Sequence, residues 1–163
     1  MTPLHFTTEY AFSLPCEALF DFLTDPRHEP RWNRQLRGVA ELSHEPIEVG
    51  TTWVAEHEVA GRMDVLVREL ERPWHAAWQV RSEFMDLEMA CRLEPMTSGG
   101  CMLRTDVAVR LKGLWVLGRT VIEPAMRRDL EAKGALIERA YEEWRQEADH
   151  ADGAPRQEGI SGL

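Results

Sequence analysis

GRTVIEPAMRRDLEAKGALIERAYEEWRQ, residues 118–146, decides how this chain folds. At 3.6 residues per turn, Ile122, Met126, Leu130, Ile137, Ala140, Tyr141 and Trp144 share one stripe, while Arg128, Glu131, Glu138 and Glu142 lie opposite. The spacing predicts a helix of roughly 40 Å at about 1.5 Å per residue. Pro124, in its first two turns, marks a kink or the true start. An apolar stripe this long must be buried against another layer.

That layer lies upstream. Between residues 36 and 112 the helical period gives way to alternation, read as strands over 37–43, 51–59, 62–71, 75–83, 85–94 and 101–111. Glu45-Pro46 through Gly50, Ala60-Gly61, Arg72-Pro73 and the cluster from Pro95 to Gly100 break the runs. Connections this short predict antiparallel hairpins. Before them, Phe6, Thr8, Tyr10 and Phe12 alternate as a first strand over 6–13. Pro15 then opens a helix carrying Ala18, Leu19, Phe22 and Leu23, which Asp25-Pro26 stops, and 29–35 forms a further short helix with Trp32. The expected fold is α+β: a curved antiparallel sheet of about seven strands around the long helix, with two short helices after strand one. One domain fills 1–148. Residues 149–163, rich in Gly and charge, read as a disordered tail.

Composition narrows the function. The chain has 163 residues, a net charge of −9 and 44% apolar residues. That acidity disfavours nucleic acid and anionic membrane surfaces as partners. No apolar run reaches the length of an integral membrane segment, and the N-terminus has no signal-peptide pattern, so a cytoplasmic protein is expected. The three cysteines match no zinc or redox spacing. Cys91 and Cys101 flank a turn where a bridge could form, but the odd count favours reduced thiols buried as small core residues.

Two segments carry a family resemblance. SLPCEALFDFLTDPRHEPRWN, residues 13–33, resembles the opening of the START-related, Bet v 1-like (SRPBCC) superfamily: a strand, a proline-started helix, an Asp-Pro stop and a Trp. GRTVIEPAMRRDLEAKGALIE, residues 118–138, is similar to the C-terminal helix of its polyketide cyclase/dehydrase-like branch. The likeness extends over residues 4 to about 148. It implies a helix-grip fold whose cavity takes a lipid, a polyketide or a similar hydrophobic small molecule.

Alternation selects the lining of such a cavity: Trp53, Ala55, His57 and Val59; Met63, Val65 and Val67; Trp78, Val80 and Ser82; Leu87, Met89 and Cys91; Leu103, Thr105, Val107 and Val109. From these and the helix, the candidate ligand-binding residues are Tyr10, Trp53, His57, Met63, Trp78, Ser82, Met89, Thr105, Met126, Lys133 and Ile137. His57 is the most chemical of them, as a hydrogen-bonding group or a general base, although a hydrogen-bonded core imidazole is the commoner fate. The second His of a zinc-type HExxH is missing, and the other histidines fall on loops, turns or outward faces. No metal and no cofactor are expected. Lys133 sits inside the apolar stripe, where relatives of the resembled family usually carry an apolar residue. Its ammonium could meet a ligand carboxylate or phenolate, or simply pair with Asp129 four residues earlier.

No nucleophile–base constellation can be read, so catalytic residues are not assigned. Three functions follow in order. The first is binding of a hydrophobic small molecule. The second is a cofactor-independent polyketide cyclase, aromatase or dehydratase working through cavity polar groups. The third is a protein-interaction module using an exposed Trp32 or Trp115, which a clean monomer or homodimer would not favour; a homodimer stands among the possible partners of the chain.

Overall fold

The structure, a computed structural model, describes residues 2–153. Its elements are β1 (Leu4–Phe12), α1 (Cys16–Thr24), a 3-10 turn (Pro26–His28), α2 (Glu29–Trp32), β2 (Leu36–Ala40), β3 (Thr52–His57), β4 (Gly61–Glu71), β5 (His75–Ser82), β6 (Met85–Pro95), β7 (Cys101–Leu111), a second 3-10 turn (Gly113–Gly118) and α3 (Arg119–Asp152). The helix-grip expectation holds. All seven strands form one antiparallel sheet in the order β1-β7-β6-β5-β4-β3-β2. β2 to β7 run as a meander, and β1 joins by pairing with the last strand, Leu4 opposite Val109 and Phe12 opposite Cys101.

Local chemistry explains the boundaries. Pro15 stands at the N-cap of α1 with extended backbone (φ −61°, ψ 147°), one residue outside the helix rather than in its first turn. Leu19, Phe20 and Phe22 are buried from α1. Asp25 then ends it, accepting the Arg27 backbone N–H at 3.0 Å to cap the 3-10 turn. The second short helix is shorter than the 29–35 expected, because Asn33 already has extended backbone. A register shift between Val67 and Glu69 brings Leu70 onto the inward face beyond it and adds curl to the sheet. α3 has 34 residues and passes through Pro124 without ending. It also continues through Asp152, beyond the expected domain limit at 148; the remainder of the expected tail, 154–163, lies outside the described residues.

The core divides into two clusters. One gathers Leu4, Phe6, Trp53, Ala55, Val65, Val67, Val80, Leu87, Val107 and Val109. The other gathers Phe12, Leu19, Phe20, Phe22, Ala76, Cys91, Leu93, Leu103, Ile137, Ala140 and Tyr141. Within the second, α3 crosses β1 at Gly134. A side-chain carbon there would overlap the Tyr10 ring, so only glycine permits this approach.

The cysteine reading is corrected. Cys16, at the start of α1, and Cys101, at the start of β7, are disulfide-bonded across 85 residues with Cα atoms 5.0 Å apart. Cys91 alone is free, and burial pushes its thiol up to about 12. Spacing could not show the pair, because the fold alone brings α1 onto the end of β7. A cross-link closing a loop of this length contributes on the order of 2–4 kcal/mol.

Two outcomes are expected. Gly134→Ala forces a carbon into the Tyr10 ring and lowers stability by about 1–3 kcal/mol in urea unfolding; an unchanged midpoint would show a looser crossing. Titration with a disulfide-exchanging chromophore should count no accessible thiol in the native, unreduced protein. It should count only Cys91 after unfolding, and all three cysteines after reduction; three thiols without reductant would refute the bridge.

Candidate functional site

α3 does not dock evenly. Gly134, Ile137, Ala140 and Tyr141 are buried, whereas the inward side chains of the first half, Ile122, Met126, Leu130 and Lys133, remain half-buried. Beneath that half, a band of part-exposed residues crosses the concave face. Thr8 faces Thr105 across β1 and β7, and Met89 faces Trp78 across β6 and β5; the band stops at β4, where Trp78 meets buried Val67, and half-buried Met63 lies four residues further along β4, opposite Ser82. Two residues to either side on the same strands, the inward neighbours are sealed: Leu103 and Val107, Leu87 and Cys91, Ala76 and Val80. The band therefore lies where the two core clusters part, and Trp78 borders both. We call this half-buried zone between helix and sheet, where Ile122, Met126 and Leu130 pack against the first cluster, the seam.

Two open clefts lie elsewhere among the described residues, one lined by Glu69, Trp74, His75 and Arg92, the other by Asp21, Arg27, Glu45 and Ile47. Both are dominated by charged rims and lie away from α3.

One end of the seam is polar. The Lys133 ammonium lies 2.9 Å from an Asp129 oxygen and 3.5 Å from the Asn33 amide oxygen, to which it donates. The Asn33 amide nitrogen in turn donates to Glu29 at 3.2 Å. Burial raises the Glu29 carboxyl above its usual range, against the opposing pull of Asn33 and Lys133. The Trp32 ring lies 5.9 Å from the ammonium, and its indole N–H is buried with no partner among the described residues. His57 completes the corner from β3. Its Nδ1 accepts the backbone N–H groups of Val59 and Ala60 at 3.2 and 3.1 Å, which leaves the ring proton on Nε2. Burial first, then the Lys133 charge, hold His57 below its ordinary value, in the neutral form at pH 7.

The other sequence candidates fall into separate places. Met63, Trp78, Met89, Thr105 and Met126 line the seam. Ile137 belongs to the sealed half of the helix, and Trp53 to the first core cluster, its indole N–H also buried without a partner among the described residues. Ser82 works in the β5–β6 turn, donating to the Met85 carbonyl at 2.9 Å and accepting the Met85 N–H at 3.1 Å. The Tyr10 hydroxyl donates to Glu138 at 3.4 Å; burial and then that carboxylate raise its pKa.

Several readings change. Glu138, expected on the solvent face, is half-buried and also accepts from the Ser13 hydroxyl at 3.1 Å, because α3 rolls toward β1 at Gly134. Val54 is buried although alternation turned it outward, and Val59 is exposed in the β3–β4 turn, beyond the end of the strand. His28 is no surface histidine: its ring stacks on Phe22 at 4.7 Å and meets Trp144 at 4.7 Å. Trp32 and Trp115 are half-buried rather than exposed, Trp115 lying against Phe84. Asn33 and Glu29 were missed as site residues. Their only signal was a position on a short helix whose docking on α3 no local pattern reveals.

Among the described residues no group of three or more His, Cys or carboxylate side chains is placed to hold a metal ion, and no helix is long and apolar enough to cross a membrane. The seam offers apolar, methionine-bearing walls and a donor-rich end, the features of a site for an amphiphile.

Comparison with known proteins agrees with this fold. Similar solved structures include a START superfamily protein from Mycobacterium smegmatis (14% identity, TM-score 0.57, covering 77% of this chain and 94% of that one). A conserved protein from Geobacillus kaustophilus matches at 14% identity and TM-score 0.69, over 86% of this chain and 96% of that one. The protein Ara h 8.0201 matches at 14% identity and TM-score 0.58, over 89% and 99%. At such identity these establish the shared fold alone. No curated protein matches the sequence. The family described as polyketide cyclase / dehydrase and lipid transport matches residues 3–141, nearly the whole of the folded domain, and the chain belongs to that family.

Proposed function

We propose that this protein binds a hydrophobic small molecule, a lipid or a polyketide-like compound, in the seam between the first half of α3 and the sheet. The half-buried band from Thr8 and Thr105 to Met89 and Trp78, under the half-buried side chains of α3, carries this reading. Each 100 Å² of this apolar surface covered by a guest is worth about 2.5 kcal/mol. Thioether and indole side chains in the band can repack around guests of different shape. Membership of a family whose description includes lipid transport supports the same reading.

A second reading, cyclase or dehydratase chemistry, draws on the polar corner. There burial moves Glu29 up and His57 down, the opposed shifts that suit a proton donor and acceptor pair. Turnover of a poly-β-ketone analogue that disappears in His57→Ala would favour it; turnover that persists in both His57→Ala and Lys133→Ala would remove these residues from it.

For the binding reading the probe is the methyl ester of a pyrene-labelled decanoic acid. It should bind with saturation, and Met89→Trp, which fills the seam, should weaken it by about tenfold or more, a loss of roughly 1.4 kcal/mol. A seam-filled variant of unchanged thermal midpoint that binds as tightly as the parent would place the ligand elsewhere.

A further inference from the structure

We infer that the corner built from Trp32, Asn33, His57 and Lys133 is a head-group subsite that holds the carboxylate of an acid-tipped amphiphile. The inference rests on the seam as the site of the apolar body.

Hydrogen-bond counting comes first. The Lys133 ammonium has three N–H groups; Asp129 takes one at 2.9 Å, Asn33 takes a long one at 3.5 Å, and the third has no partner among the described residues. His57 spends Nδ1 on two backbone N–H groups, so Nε2–H remains to donate, with no acceptor among the described residues. The buried Trp32 N–H is likewise unmatched. The nearby Asn33 is already engaged, its oxygen receiving from Lys133 and its nitrogen donating to Glu29. The corner therefore has donors in surplus. Of these donors the Trp32 N–H is the buried one, and leaving it unpaired costs free energy, so an acceptor is missing at that point, within reach of the solvent-edge donors of Lys133 and His57. The two oxygens of a carboxylate, with about four lone-pair directions, match three donors better than a single phenolate or ketone oxygen does.

Charge points the same way. Asp129, the ion-pair partner of Lys133, is 41% exposed and screened by water, whereas the Lys133 side chain is only 18% exposed. Glu29 is driven by burial toward its neutral form. The field inside the corner is thus set by the ammonium.

Position completes the argument. Lys133 follows Leu130 and Met126 on the inward stripe, at the point where α3 passes from standing off to docked. His57 lies opposite Gly61, two residues along β3 from Ala55, which pairs with Met63. A chain leaving the corner along this stripe meets Leu130 and Met126 on α3, with Met63 on the strand beside Ala55.

The test compares the pyrene-labelled decanoic acid with its methyl ester on the full chain by fluorescence titration. The acid should bind about tenfold or more tightly than the ester, as expected for charge-assisted hydrogen bonds. Lys133→Met should shrink the acid's advantage over the ester to within about twofold, while Lys133→Arg retains the preference. If Lys133→Met does not fold, Trp32→Phe, which removes the unmatched N–H, should weaken the acid several-fold and not the ester. Equal binding of acid and ester would overturn the subsite and leave the seam standing, water then being the missing acceptor. Binding of neither would overturn the seam reading and the subsite together.

Discussion

The crossing of α3 over β1, where Gly134 lies directly on the Tyr10 ring, governs the rest of the structure. A helix normally keeps its distance from a sheet because side chains fill the space between them; here one missing Cβ lets the backbone come down onto an aromatic face. The contact pins the helix at its middle. From that point the C-terminal half settles into the second core cluster through Ile137, Ala140 and Tyr141. The other half leaves its inward side chains Ile122, Met126, Leu130 and Lys133 short of full burial. The seam follows from this uneven docking.

The disulfide and the aromatic cluster strengthen the same end. Cys16–Cys101 ties α1 to the first residue of β7, beside the place where β1 and β7 end their pairing. Phe22, His28, Tyr141 and Trp144 pack ring against ring where α1, the first 3-10 turn and α3 meet. Rigidity is therefore concentrated at the docked end, and the opposite end, with half-buried Ile122, Met126, Trp115 and Val116, is the looser side of the molecule. A site between a fixed end and a yielding one can admit a guest without disturbing the main core.

Polar groups follow the same partition. Outside the molecule the ion pairs are exposed and individually weak, as Arg72–Asp21 and Arg62–Glu41 are. The Lys133 array is different because it sits where α2 packs on α3, with the Lys133 side chain only 18% exposed. Its members interact in an environment that strengthens charge and penalises every unmatched donor.

Much of this was legible beforehand. Turn residues and alternation located every strand of the sheet, with 101–111 matched at both ends, and the helical period put Met126 and Lys133 on the inward, half-buried face of α3. The inward sets on β5, β6 and β7 were also correct, since each strand side is dictated by a two-residue period and one face must be dry. His57 and Lys133 were recognisable as unusual, an imidazole and an ammonium at apolar-facing positions. What remained hidden was relational. Glu138 was read as solvent-facing because the period assigns a face but not the roll of the helix, and that roll is set by Gly134 on Tyr10. Asn33 and Glu29 carry no local mark of function, and Cys16 and Cys101 no mark of pairing, since each partner lies far away along the chain. The sequence alone determined the elements, their faces and the family, because those follow from periodicity and local backbone chemistry. Only the tertiary structure decided which half of the helix docks, which thiols join and which donors stand unmatched, because those depend on distances between residues that the chain order keeps apart.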